Sequence, residues 1–160
     1  MSRESGFSLI ELLVALVIMG IVLALGLPAF GRFQEAMGMK QLNAQLIQDI
    51  RRARQLAVTR HSAVVVVFGR PPSAANARSY TIHVDTNGDG VRQSNEMMTW
   101  RNMPRNCRIQ QVELTPIDSL VFDYSGVLRP GTLGGRLRLM NSAGTKDTLM
   151  VSSAGVCYHP

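Results

Sequence analysis

The feature that most constrains this chain is an apolar run close to its beginning. From Phe7 to Leu27 the run holds 21 residues and one charged side chain, Glu11. A helix of this length is about 31 Å long, which matches the hydrocarbon thickness of a bilayer. The 160-residue sequence has no second apolar run of this length, which excludes a polytopic membrane protein. We therefore expect one membrane-spanning helix.

We expect the apolar run to stay in the mature protein. A secretory signal has a small-residue cleavage site directly after its apolar core, whereas here the residues from Pro28 to Arg32 continue into a helical pattern. Glu11 is the anomaly of the run, because a carboxylate in a membrane helix costs free energy unless it is paired or functional. Cleavage of the chain between Gly6 and Phe7 would create an amine close to Glu11 that neutralises its charge.

The junction between the polar leader and the apolar run follows a recognisable pattern. It contains the residues Gly6-Phe7-Ser8-Leu9-Ile10-Glu11, and Pro28 stands near the end of the run. This pattern resembles the class III signal of type IV pilins and type II secretion pseudopilins. The resemblance implies cleavage after Gly6 by prepilin peptidase, N-methylation of Phe7 and assembly roles for Glu11 and Pro28.

The same resemblance implies where the protein resides and how its domains are arranged. It places the chain in the bacterial inner membrane as a single-pass protein with a periplasmic C-terminal head, and gives it other pilins or pseudopilins as partners in a filament. The domains that follow are a leader peptide over 1–6, a transmembrane or filament-core helix over 7–30 and a head over 31–160.

The remainder of the chain predicts an α+β head. Within 31–60, apolar residues recur at steps of three and four, which predicts an amphipathic helix. From residue 61 onward, short β-branched or alternating segments separated by turn residues predict an antiparallel sheet or a small sandwich. The expected fold is pilin-like, with a long N-terminal helix packed on this sheet. The apolar helix positions are Leu42, Leu46, Ile50, Ala53 and Ala57, and the predicted strands are 63–68, 79–84, 97–100, 107–114, 119–124, 136–140 and 148–153.

The order of these elements resembles one branch of the pilin family. The branch comprises the H-type pseudopilins of type II secretion (GspH) and the FimT and FimU minor pilins, and the segment 43–68 carries most of the resemblance. It implies a structural subunit of a type IV pilus or of a type II secretion pseudopilus, in the priming or tip complex. The choice between these two systems stays open. We find no nucleophile or phosphate-binding motif and expect no enzymatic activity.

A possible cation site lies in the segment 85–96, which matches the pattern D-x-N-x-D-G-x5-E of a calcium-binding loop. Calcium is the one candidate cofactor that the sequence offers. Both flanks of the segment are predicted strands, whereas calcium loops of this kind stand between helices. The alternative, which we favour, is a hairpin turn in which glycines supply the positive φ angles. The oxygen ligands would be Asp85, Asn87, Asp89 and Glu96.

The chain has two cysteines, Cys107 and Cys157. Their number and spacing exclude a four-ligand zinc site and a CxxC redox motif. In an oxidising compartment we expect a disulfide between them, which would tie the C-terminal tail to the sheet. The alternative is two buried thiols.

The net charge of +6 is compatible with nucleic acid, an anionic membrane surface or an acidic partner. The motif Gly135-Arg136-Leu137-Arg138 resembles the G-R-x-R sequence with which FimT-type minor pilins bind DNA. It lies on a predicted strand rather than in the terminal stretch of the chain. A DNA-binding minor pilin that acts in DNA uptake, through Arg136 and Arg138, is therefore the alternative function. Two solvated arginines on one strand face are the simpler interpretation.

Overall fold

The computed structural model describes residues 8–69, 78–89, 93, 96–115 and 118–159, with the backbone alone at 27–29. The chain divides into two compact units, Met1–Ala36 and Met37–Pro160. The described residues form one helix, α1, over Leu9–Arg60, followed by eight strands. The strands are β1 Ala63–Phe68, β2 Ser79–Asp85, β3 Met98–Asn102, β4 Cys107–Thr115, β5 Ser119–Phe122, β6 Leu133–Asn141, β7 Lys146–Val151 and β8 Cys157–Tyr158.

The second unit contains two antiparallel sheets of four strands each. The first sheet has the order β3-β2-β1-β5, and the second has the order β4-β6-β7-β8. In the first sheet, Val65 of β1 lies opposite His83 of β2 on one side and Val121 of β5 on the other. In the second sheet, β6 pairs with β4 and β7. The predicted α+β class with antiparallel sheets is confirmed.

One face of α1 forms the centre of the head. Its buried residues follow one another at steps of three and four, which places them in one stripe along the helix. They join a single hydrophobic core with side chains from both sheets, such as Phe68 and Leu139. The stripe predicted from the sequence is confirmed and begins one turn earlier. Its residues are Met39, Leu42, Leu46, Ile50, Ala53 and Ala57.

The end of α1 is set by a backbone cap. His61 has a φ of 50°, in the left-handed region. The Ser62 N–H donates to the Ala57 carbonyl at 3.3 Å, and the His61 N–H donates to the Val58 carbonyl at 3.4 Å. These two bonds form a Schellman motif, which satisfies helix carbonyls that would otherwise lack donors. The cap turns the chain directly into β1.

A buried polar cluster joins α1 to the first sheet. Asp49 is 6% exposed, and its Oδ2 accepts a hydrogen bond from the Tyr80 hydroxyl at 2.7 Å and lies 3.1 Å from Nε of Arg101. Gln45, one turn earlier, donates from Nε2 to the Tyr80 hydroxyl at 3.0 Å and to the Asn102 carbonyl at 3.2 Å. Burial, together with the Asp49 carboxylate, raises the pKa of Tyr80 well above its usual range. The hydroxyl therefore keeps its proton at neutral pH and holds the helix against β2.

We predict that Asp49→Ala destabilises the head. Tyr80 loses its hydrogen-bond acceptor and Arg101 its ion-pair partner, and the expected loss in the free energy of unfolding is about 2 kcal/mol, with the contribution of the partly exposed Arg101 discounted for solvent screening. Urea unfolding of the full chain in detergent, followed by Trp100 fluorescence, measures the loss. The control is Gln48→Ala on the exposed side of the same turn, which should change stability by less than about 0.5 kcal/mol. Equal midpoints for Asp49→Ala and the unmutated chain would contradict the prediction.

Candidate assembly helix and surface sites

The first half of α1 presents an apolar surface that the described part of the chain leaves exposed. Every side chain from Ser8 to Gly26 is exposed. By length and composition, α1 can cross a membrane, with a mean hydropathy of 2.8 over its most apolar 18 residues, none of which is buried. Such a surface needs lipid or other helices around it, because exposed apolar area of this extent is unfavourable in water.

Glu11 lies in the first turn of this helix. Its N–H donates to the Ser8 carbonyl at 3.0 Å, and the Leu12 N–H donates to the same oxygen at 3.2 Å. A carboxylate at this position interacts favourably with the positive end of the helix dipole, which gives Glu11 a local role besides the predicted one in assembly. Gly6 and Phe7, the predicted cleavage and methylation residues, lie outside the described residues. Pro28 lies within α1, and its side chain is also outside the description.

The carboxylates at the two ends of the predicted calcium loop, Asp85 and Glu96, accept hydrogen bonds from backbone N–H groups. Asp85 is buried, and its Oδ1 accepts a hydrogen bond from the Gly88 N–H at 2.7 Å. The two carboxylate oxygens of Glu96 accept from the N–H groups of Gln93 at 2.9 Å and Thr86 at 3.0 Å. The N–H of Gln93, with a smaller effect from that of Thr86, lowers the pKa of Glu96. Both carboxylates therefore stabilise the loop as a hydrogen-bonded turn.

The other two predicted ligands, Asn87 and Asp89, are hydrogen-bonded to each other within the same loop. Asn87 donates from Nδ2 to Asp89 Oδ2 at 2.8 Å, and Gln93 donates to that oxygen at 3.0 Å. Gly88 has a φ of 78°, as the hairpin interpretation requires. Among the described residues, no three His, Cys, Asp or Glu side chains form a group that can hold a metal ion. Calcium binding by the loop stays an untested prediction.

The hairpin interpretation makes a testable prediction about calcium. A bound ion would raise the melting temperature by mass action, whereas carboxylates already satisfied by backbone N–H groups gain little from it. We expect the full chain in detergent to melt at the same temperature in millimolar calcium and in EDTA. A rise in calcium that Asp89→Ala abolishes would contradict this prediction and establish the ion site.

The predicted disulfide is not formed in this structure. Cys107 begins β4 and Cys157 begins β8, which are the two edge strands of the second sheet. Three strand spacings, about 14 Å, separate these edges, whereas the Cα atoms of a disulfide lie about 4–7 Å apart. The register separates them further, because Cys107 pairs with Asn141 at the end of β6, while the partner of Cys157, Val151, pairs with Gly135 near its start. Both residues are buried thiols, and burial raises the pKa of Cys157 to about 11.

The two arginines of the G-R-x-R motif share one face of β6, as the alternation predicts, and both contact the same acid. Nε of Arg136 lies 3.2 Å from Oε2 of Glu113, and Nη2 of Arg138 lies 3.2 Å from Oε1. Arg138 also donates to Gln111 Oε1 at 3.3 Å. Glu113 stands directly opposite Arg136 in the sheet. A DNA phosphate would have to displace this carboxylate, and DNA binding through the motif stays an untested prediction.

A basic pocket that sequence analysis did not find lies elsewhere on the head. It has a volume of about 280 Å³, and three arginines line it. Arg105 and Arg108 are neighbours in the sequence, whereas Arg78 comes beside them only through the pairing of β2 with β3, where Ser79 lies opposite Asn102. The one local signal is the pair of arginines on either side of Asn106 and Cys107. The lining includes Arg78, Arg105, Arg108, Asn106, Met140 and Asn141.

Comparison with known proteins gives two family matches and a structural match. Residues 1–27 match the prokaryotic N-terminal methylation motif, and residues 43–155 match the family described as type II transport protein GspH. A crystal structure of the type IV minor pilin FimU from Pseudomonas aeruginosa has a TM-score of 0.52 at 18% identity, over 81% of this chain and 90% of that chain. A second crystal form of FimU gives a TM-score of 0.49 at 17% identity, over 78% and 91% of the two chains. No curated protein sequence matches the chain.

Proposed function

The chain belongs to the GspH family of pilin-like, non-enzymatic structural proteins, and on this premise we propose that it is a minor pilin or pseudopilin. In this role it is a subunit of a type IV pilus or of a type II secretion pseudopilus, within the priming or tip complex. The observation that carries the proposal is the uncovered apolar half of α1, headed by the single carboxylate of Glu11. A pilin-like head follows this helix in the same chain.

Processing is the first step of the proposed function. Prepilin peptidase cleaves after Gly6 and the new terminus at Phe7 is methylated, which is supported by the match of residues 1–27 to the methylation motif. Residues 7–30 then anchor the protein in the inner membrane, and residues 31–160 form the periplasmic head. The compact unit that begins at Met37 supports a head of about this extent.

Assembly is the second step, and it depends on covering the apolar half of α1. In the bilayer, lipid tails cover this surface and the Glu11 side chain extends towards the headgroups. In a filament core, neighbouring helices replace the lipid, and an unpaired carboxylate costs several kcal/mol. The amine of Phe7, on the same or an adjacent subunit, is the cation that processing places near Glu11. Their pairing aligns each incoming helix with the previous one and so sets the axial step.

We predict that Glu11→Val leaves membrane insertion and cleavage intact but reduces incorporation. The amount of protein that co-purifies with sheared filaments or partner pilins should fall by roughly tenfold, because a helix without its charge partner loses a buried ion pair. Glu11→Gln separates the two roles of this residue, since it keeps a polar side chain in the first helical turn but removes the charge. We expect it to assemble as poorly as Glu11→Val.

The matched control is Glu35→Gln, which removes a carboxylate from the same helix beyond the apolar run. We expect its incorporation to equal that of the unmutated chain. N-terminal mass analysis of each variant reports whether the mature protein begins at Phe7. Retention of Met1 would contradict the processing step, and normal incorporation of Glu11→Val at equal expression would contradict the assembly role.

A further inference from the structure

The arginine pocket is held in place by main-chain hydrogen bonds from three separate segments. The Met103 N–H donates to the Arg78 carbonyl at 3.0 Å, which fixes the chain before β2 beside the chain before β4. The Ser142 N–H donates to the Asn106 carbonyl at 2.8 Å, which fixes the β6–β7 turn to the same place. The positions of the arginine backbones are therefore set by the fold.

The positive charge of the pocket is not neutralised. In the described part of the chain, Arg78, Arg105 and Arg108 form no ion pair with an acidic side chain, and no acidic residue lines the cavity. Other arginines of the head differ in this respect, since Arg101 contacts Asp49 and Arg136 contacts Glu113. Three neighbouring guanidinium groups without a counter-ion attract an anion, and their planar donors match the oxygens of a phosphate.

The size of the pocket favours a small anionic group. Its volume of about 280 Å³ lies near the lower end of small-molecule sites, about 300 Å³. Asn141, which is 5% exposed, and Ser142 add polar groups to the lining, while Met140 supplies an apolar side. A phosphate that carries a short apolar extension fits these surroundings better than a long polyanion, which prefers an open basic face.

The pocket lies at the end of the head where α1 enters it. A Cβ atom built on Gly38 would lie 2.5 Å from Oδ1 of Asn106, a residue of the pocket, so α1 and the pocket are in direct contact there. Gly38 follows Leu27, the last residue of the apolar run, by only 11 positions.

We propose that this pocket binds the phosphate of an anionic phospholipid headgroup. The inference rests on the proposed membrane location of the unassembled subunit, where such headgroups are the most concentrated phosphates near Gly38. Anionic lipids attract clustered Lys and Arg side chains, and guanidinium groups can also form paired hydrogen bonds with phosphate oxygens. The site would hold the base of the head against the bilayer until the subunit is extracted into a filament.

The test uses the full chain in a non-ionic detergent, with bound lipids counted by native mass spectrometry. The probes are a phosphatidylglycerol and a phosphatidylcholine with the same acyl chains, inorganic phosphate, and a short DNA duplex. The pocket variant is Arg105→Gln with Arg108→Gln. The control is Arg136→Gln with Arg138→Gln, which removes the same charge from the same sheet outside the pocket. The single change Arg78→Gln, at an exposed position before β2, replaces the pocket variant if that protein fails to fold.

We expect the unmutated chain and the control to bind phosphatidylglycerol at least about tenfold more tightly than phosphatidylcholine, and the pocket variant to lose this preference, because charge-assisted hydrogen bonds dominate the selectivity. Equal affinity of the pocket variant and the control for phosphatidylglycerol would overturn the proposal. So would binding of inorganic phosphate with no lipid preference, or binding of DNA through the pocket arginines in place of lipid. The readout involves no filament, so its failure leaves the subunit role intact. Failure of assembly with retained lipid selectivity would contradict that role alone.

Discussion

The head depends on the burial of one stripe of α1 in a single hydrophobic core with side chains from both sheets. Side chains such as Leu42, Leu46 and Ile50 are almost fully buried, and each contributes about 1.5–3 kcal/mol when removed from water. Both sheets contribute side chains to the same core as this stripe, so the helix and the two sheets are buried together. The hydrogen bond between Asp49 and Tyr80 fixes the position of the helix along β2. Apolar contact alone would define this position less specifically.

The two halves of α1 differ in the exposure of their apolar side chains. From Met39 onward its apolar stripe is covered by the head, whereas its first half has apolar side chains on every face, and no other described residue covers them. A helix that is apolar all round is suited to a surrounding of lipid or of other helices. The two halves therefore differ in what they require, since the second half has its apolar stripe covered by the head and the first half needs an apolar surrounding.

Local patterns in the sequence predicted most of the fold. The helical stripe and the strand β1 follow from periodicity and β-branching over a few residues, and both are confirmed. Strand β5 ends at Phe122, two residues earlier than predicted, because Oδ1 of Asp123 accepts the N–H groups of Ser125 and Val127 and closes a turn. The two-residue strand β8 is too short to give an alternating pattern and was not predicted.

Properties that depend on the order of the strands within a sheet could not be predicted from the sequence. The sequence could not show that β6 and β7 lie between the two cysteine strands, and the pocket was missed because the pairing of β2 with β3 and of β4 with β6 assembles its lining. The segment 85–96 matches the sequence pattern of a calcium-binding loop, but its carboxylates also accept hydrogen bonds from the backbone N–H groups of a tight turn. Burial of the two thiols has a consequence for their reactivity. Because both sulfurs are covered and the pKa of Cys157 is raised to about 11, little thiolate is available at that residue to exchange with an external disulfide.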